Sequence, residues 1–384
     1  MPRPSGRRVA RGVGAGLLLG AFAAVAAEAF RPRPGPARIV DWDEVRERAH
    51  ARLGDETTID PRRRRRLEDQ YRRLAEGVQE PLLEFVGGLP QGVSMPAFQA
   101  LDRNGWVDLN VAILRDGLEP VLAVQEAIPN SRAVELTRAV IDRYVAVLLG
   151  FLSRRVLGQY DPQLLGREPT GEPGVYLVEP NIAEWQEDAL LPGEPLRRWL
   201  ILHEMTHAWQ FAAHPWLRGH LNSMVSRLIG AAVDRRTSAL DRVLGLTLGV
   251  RQQLQVINEV QAVMSLIEGY SNLVMSVVGK AQIKEYQDLE EAHSERVSEK
   301  TVFERLFWRL TGLELKLQQY VVGERFCRHV HDQHGIAALN RAWDGPSTLP
   351  TLGELRDPDR WWRRVSGVEL TNKPGRRRTA ARRG

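Results

Sequence analysis

Two histidines and a glutamate lie within five consecutive positions, His203, Glu204, Met205, Thr206 and His207. In this HExxH pattern the histidines are four residues apart. On an α-helix that spacing rotates the two side chains by about 40° relative to each other, so both imidazole rings project from one face. Two such rings can bind one zinc ion through ring nitrogens at about 2.0–2.1 Å. The glutamate lies beside that face, where its carboxylate could accept a proton from a metal-bound water.

The residues around this pattern predict a largely buried helix. Pro192 and Pro195 precede it and Pro215 follows it, which brackets a helix of about five turns. Most intervening positions are apolar, and a solvated helix face is therefore disfavoured. Two histidines and a glutamate are costly in such a helix unless they are paired or bind a metal. The pattern therefore predicts a site for one zinc ion.

A catalytic zinc ion needs a third protein ligand and an open position. A downstream helix offers two candidates, Glu268 in an apolar stretch and Glu259 among glutamines. An unpaired carboxylate in apolar surroundings is expensive, which favours Glu268, with Glu259 as the alternative. Gly269 leaves room for another helix or the metal site to approach. Asn272, one turn further on, could hydrogen-bond a ligating histidine.

The elements that must position these residues are predicted to be mostly helical. Hydrophobic periodicity indicates helices at about 42–87, 106–117, 131–157, 195–213, 219–247, 251–279 and 299–334. One strand is predicted at residues 174–179, GVYLVE, either as an edge that pairs with an extended peptide or as an ordinary buried strand. The predicted fold class is mainly α with a small β-sheet. In it the HExxH helix packs against a second helix that carries a glutamate ligand.

The N-terminal residues 1–30 are predicted to be a signal peptide or a short membrane anchor. Arginines precede an uncharged run from Gly12 to Ala27. Those 16 residues would span about 24 Å as a helix, less than the roughly 30 Å hydrocarbon core of a bilayer. An unstructured extension is the alternative. The segment favours an exported or membrane-anchored protein, with membrane association through this segment, over a cytoplasmic one.

The rest of the chain divides into a linker, a folded body and a tail. Residues 31–40 are proline-rich and are predicted to be a linker. The body is predicted to span 41–366, with a helical N-terminal part (41–165) and a catalytic part (166–366). The basic residues from 367 to 384 are predicted to be a disordered tail.

The charge distribution argues against a nucleic-acid partner. The formal net charge is +5, but residues 1–40 and residues 373–384 each carry +6, which leaves −7 for residues 41–372. An acidic body with basic ends is not the pattern of a nucleic-acid surface. The lone cysteine, Cys327, excludes an intrachain disulfide and a cysteine-rich zinc site.

Beyond the motif, the chain resembles zincin-like metallopeptidases, and more narrowly the bacterial group associated with deazaflavin-coenzyme biosynthesis. The resemblance covers roughly residues 40–366, and the resembling segments are 40–43, 158–162, 175–181, the HExxH helix, Glu268-Gly269, 349–351 and Trp361. It implies His203 and His207 as ligands, Glu204 as base and Glu268 as third ligand. His207 and Glu268 are 61 positions apart, a longer spacer than in well-studied glutamate zincins. The resemblance therefore does not extend to the detailed geometry of a substrate cleft.

The predicted function is that of a zinc-dependent hydrolase, a metallopeptidase that cleaves a peptide or protein substrate. One alternative is a non-catalytic zincin-like scaffold that binds a protein partner, and the other is a zinc hydrolase of a small amide or ester. Glu204 favours catalysis, since a purely structural metal site has no use for a base. Tyr270, Tyr160 and His220 are candidate transition-state donors, each with a structural role as the simpler interpretation.

Overall fold

The computed structural model describes residues 40–54, 58–125, 131–163, 174–233, 241–298 and 314–367. The predicted signal or anchor segment, nearly all of the linker and the basic tail after Gly367 lie outside these residues, and the expectations about them stay predictions. The described part is mostly helical with a three-stranded sheet, which confirms the predicted fold class.

The described secondary structure has helices in each predicted helical segment and the predicted strand, with different ends, and it also has strands and helices that periodicity did not indicate. The elements up to residue 188 are α1 (Trp42–Leu53), α2 (Pro61–Val86), β1 (Phe98–Leu101), α3 (Arg103–Gln125), α4 (Arg132–Leu152), β2 (Gly158–Asp161), β3 (Gly174–Val178) and α5 (Glu179–Asp188). The later helices are α6 (Gly193–Ala213), α7 (Trp216–Val233), α8 (Asp241–Val274), α9 (Tyr286–Ser298), α10 (Glu314–His334), α11 (Ile336–Asn340), α12 (Leu352–Arg356) and α13 (Pro358–Ser366). A π-helical turn, Met275–Gly279, continues α8 into the short helix Lys280–Gln282.

Two helices differ most from the prediction. Helix α3 is much longer than the 106–117 segment that periodicity indicates. Helix α9 was absent from the predicted set because its sequence, YQDLEEAHSERVS, is mostly polar and carries little apolar signal.

The strand order in the sheet is β1-β3-β2, so the GVYLV strand is central. It has hydrogen-bonded neighbours on both sides, and four of its five residues are buried. The prediction that it is an edge strand for an extended peptide is therefore wrong, and the alternative of an ordinary buried strand is correct. A continuous apolar run, without alternation, is typical of strands buried on both faces.

The chain divides into two compact units, and among the described residues the first comprises 40–67, 99–163 and 176–184. Its core lies between α1, α3 and α4. Helix α1 contributes Val45, Ala49 and Leu53, which recur every four residues and therefore lie on one buried face. Asp41 caps α1 by accepting from the backbone N–H of Glu44, and its own N–H donates to Asp142.

The second unit comprises the described residues among 68–98, 173–175 and 185–367. Helix α6 is its central element and packs against α8, the π-helical turn and α9. Residues on all sides of α6 are buried, including its polar residues Glu204, Thr206, His207 and Gln210. Polar groups in such a helix need partners from neighbouring elements.

Helix α8 is held by close packing against α10. A Cβ atom on Gly269 would overlap the backbone of Gly323 in α10, and a Cβ on Gly323 would overlap the Ser265 carbonyl. The two backbones therefore approach as only glycine allows, as Gly269 led us to expect. Within the described residues, Leu254–Gln282 is long and apolar enough to cross a membrane, but 72% of its most apolar window is buried in the protein. A buried core helix has the same length and composition.

Candidate metal centre

Three predicted ligands come together where α6 faces α8. The Nε2 atoms of His203 and His207 are 3.2 Å apart. The Oε2 atom of Glu268 lies 3.7 Å from Nε2 of His207 and 4.0 Å from Nε2 of His203. The potential ligand atoms of all three residues lie within 4.8 Å of one another. Their side chains are 11–24% exposed, so the cluster lies at the edge of the core with limited access to solvent.

The remaining nitrogen of each histidine ring faces a polar partner. Nδ1 of His203 lies 3.0 Å from the hydroxyl of Ser271, on α8. Nδ1 of His207 lies 3.0 Å from Oε1 of Gln210, on α6 itself. Both contacts leave the Nε2 atoms directed towards Glu268. Asn272 was the residue predicted to make such an orienting contact, and the structure places Ser271, the residue before it, against His203.

Aromatic rings cover the other side of His203. The indole of Trp199 lies nearly parallel to the His203 ring, at 9° and with centroids 6.3 Å apart. His293, on α9, lies against Trp199 with centroids 5.1 Å apart. Burial, with His207 and His293 nearby, holds the pKa of His203 well below its ordinary value of 6.5. The ring is therefore neutral at pH 7, the form that binds a metal.

The other predicted residues differ in their surroundings. Glu204 is 6% exposed, next to His203 on α6. Glu259 instead forms an ion pair with Arg227 at 2.7 Å. Tyr270 donates a hydrogen bond to Asn340, an arrangement typical of a structural tyrosine. The predicted donor His220 packs its ring against Trp216, also outside the cluster.

Comparison with known families agrees with this geometry. A sequence model described as zincin-like metallopeptidase matches residues 40–362, most of the chain. The chain belongs to the zincin-like metallopeptidase family. A solved structure from Chloroflexus aurantiacus, described as "a putative hydrolase with a novel fold", is 31% identical with a TM-score of 0.66, and the match covers 86% of this chain and 100% of that one. No curated protein matches the chain.

The three residues suit the metal that the zincin family implies. A tetrahedral zinc site with ligand distances near 2.0–2.1 Å has its ligand atoms about 3.3 Å from one another. The separations in this structure are 3.2, 3.7 and 4.0 Å, close to that value or several tenths of an ångström above it. Two imidazoles and one carboxylate are also the ligand set of catalytic zinc sites that leave one position open. The family and the hydrolase neighbour thus support a hydrolase, and His203, His207 and Glu268 are a group that could hold a metal ion.

Proposed function

We propose that this chain is a zinc-dependent hydrolase, and specifically a metallopeptidase that cleaves peptide or protein substrates. The observation that carries the proposal is the convergence of His203, His207 and Glu268, from two helices distant in sequence, on one point. Glu268 and His203 are half-buried and His207 is buried, and a carboxylate held against two neutral histidines in such a place is costly unless a cation compensates it. A zinc ion is the cation that this set of ligands suits.

In this proposal His203, His207 and Glu268 hold the ion, and Glu204 is the general base. A bound zinc ion would supply Lewis acidity, which polarises a carbonyl group and makes water more acidic. Glu204 accepts the proton from the attacking water and returns it to the leaving amine. Its burial keeps bulk water away from the carboxylate, which suits a base that must act on one water molecule.

The test is Glu204→Gln in the full chain, assayed with a mixed fluorogenic peptide library and for metal content. The amide keeps the size of the side chain but cannot accept the proton, so hydrolysis should fall by about 10²–10⁴-fold while one zinc per chain is retained. Glu259→Gln is the matched control, because Glu259 lies on the surface and should affect neither measurement.

Three other results would contradict parts of the proposal. Zinc without any hydrolysis in the unaltered chain would favour a scaffold that binds a partner. Cleavage of small amides or esters but not of peptides would change the substrate class. A chain that binds no zinc would remove the basis of the proposal.

A further inference from the structure

Both the oxygen and the nitrogen of the Gln210 side-chain amide have a polar partner, although Gln210 lies outside the HExxH pattern. The residue is fully buried in α6. Its Oε1 atom lies 3.0 Å from Nδ1 of His207. Its Nε2 atom donates to the backbone carbonyl oxygen of Ile267, in α8, at 2.9 Å. The amide therefore links one predicted ligand to the residue directly before another, Glu268.

The direction of this link follows from the chemistry of its far end. A backbone carbonyl can only accept a hydrogen bond, so the NH₂ end of Gln210 must face Ile267. The oxygen end of the amide must then face His207, and an amide oxygen can only accept. Nδ1 of His207 is therefore the donor and carries the proton. In a neutral ring this leaves the lone pair on Nε2, the atom that faces His203 and Glu268.

We propose that Gln210 is a positioning residue that transmits the polarity of the Ile267 carbonyl to His207 and so selects the metal-binding tautomer. The inference rests on the proposed metal function, because a defined tautomer matters only if Nε2 binds an ion. The same link also ties His207 on α6 to the backbone beside Glu268 on α8. Gln210 thus sets both the tautomer of one ligand and its distance from another.

The contact of His203 differs in a way that sharpens the proposal. Its partner is the Ser271 hydroxyl, which can either donate or accept. That contact orients the ring but does not by itself choose between the two tautomers. We therefore expect substitutions at Gln210 to change the tautomer of a ligand, and Ser271→Ala to change mainly the orientation of His203.

The tautomer can be measured in the metal-free full chain by ¹⁵N NMR of the imidazole rings at pH 8. The His207 signals are assigned by their absence in His207→Gln. The unaltered chain should show Nδ1–H at His207. Gln210→Met removes both hydrogen bonds and should give a mixture of tautomers. Gln210→Glu keeps an acceptor opposite Nδ1 and should restore Nδ1–H, although it loses the bond to Ile267.

Zinc affinity, measured by competition with a chelator, is the second readout. Gln210→Met should bind zinc about 10–100-fold more weakly, and Gln210→Glu should lose less. Tyr270→Phe is the matched control, because it deletes one hydrogen bond of α8, to Asn340, without involving a ligand. It should leave both the tautomer and the zinc affinity unchanged.

The possible failures are distinguishable. An Nε2–H or mixed tautomer at His207 in the unaltered chain overturns the role of Gln210, and this measurement needs no variant of Gln210 to fold. Unchanged tautomer and zinc affinity in Gln210→Met also overturn it. A chain that shows Nδ1–H at His207 but binds no zinc overturns the proposed metal function, while the control of the tautomer by Gln210 stands.

Discussion

Two glutamates of the same helix, Glu259 and Glu268, have opposite surroundings. The side chain of Glu259 is 36% exposed, and Arg227 balances its charge at 2.7 Å. The side chain of Glu268 is 24% exposed, and among the described residues its ion-pair partners are His203 and His207, at 4.0 and 3.7 Å. Nine residues correspond to about 900° of helix rotation, so the two carboxylates point to opposite sides of α8. Only one of them can face α6, and among the described residues that one pairs with histidines rather than with an arginine.

The largest expected effect tests this comparison directly. Glu268→Ala removes one of three protein ligands and should weaken zinc binding by roughly a hundred- to a thousandfold, since a structural zinc site gains about 10–16 kcal/mol from four ligands together. Glu259→Ala removes only a surface ion pair and should leave zinc binding unchanged. The zinc content of each variant after dialysis against a mild chelator measures both effects.

Equal loss of zinc in the two variants would show that α8 as a whole, rather than Glu268, supports the site. Loss in Glu259→Ala alone would assign the third ligand to the alternative residue. Circular dichroism of each variant provides the control for helix content.

Helical periodicity explains why much of this site could be predicted from the sequence. The HExxH spacing places two histidines on one face, and the apolar neighbours of Glu268 single out that carboxylate. Gln210 could have been found in the same way, because it lies three positions after His207, on the same side of α6. The contact between Ser271 and His203 could not be predicted from the sequence. Whether Ser271 or its neighbour Asn272 reaches His203 depends on how two helices that are distant in sequence cross.

The strand β3 gives the opposite lesson. Its composition predicts a strand, and the structure confirms one at Gly174–Val178. Its position between β1 and β2 depends on pairing with residues far away in the sequence. Local pattern does not contain that information, and the edge-strand interpretation was therefore wrong.

The next prediction concerns the packing that holds Glu268 in place. Gly323→Ala would force a methyl group onto the Ser265 carbonyl, one turn before Glu268, so α8 and α10 would have to separate. We expect a loss of about 3 kcal/mol in the free energy of unfolding, measured with urea. Gly77→Ala in α2 is the control, because a Cβ there meets nothing within 4 Å. It should instead stabilise the chain by up to about 1 kcal/mol. Equal effects at both positions would contradict the close packing of α8 on α10.

A third glutamate, Glu354, is buried and shows how this protein stabilises a carboxylate without a metal. Arg364 donates to both carboxylate oxygens, at 2.6 and 3.0 Å. The backbone N–H of Thr351 donates a further hydrogen bond at 2.9 Å. Burial alone would raise the pKa of Glu354, but these hydrogen bonds outweigh it and lower the pKa below its ordinary value of 4.5. A carboxylate with a lowered pKa stabilises the fold above pH 4.5, and this stabilisation is lost as the pH falls below it.

Glu354→Gln should therefore cost about 1–2 kcal/mol at pH 7, at the low end because Arg364 is 40% exposed and its charge is screened. The difference from the unaltered chain should shrink as the pH is lowered from 5.5 to 3 in a series of urea titrations. Glu194→Gln is the control, since Glu194 is 61% exposed and pairs only with Arg198 one turn away among the described residues. Its effect should stay within about 0.5 kcal/mol at every pH. A cost for Glu354→Gln that does not change with pH would mean that packing, rather than the charge of the carboxylate, stabilises this turn.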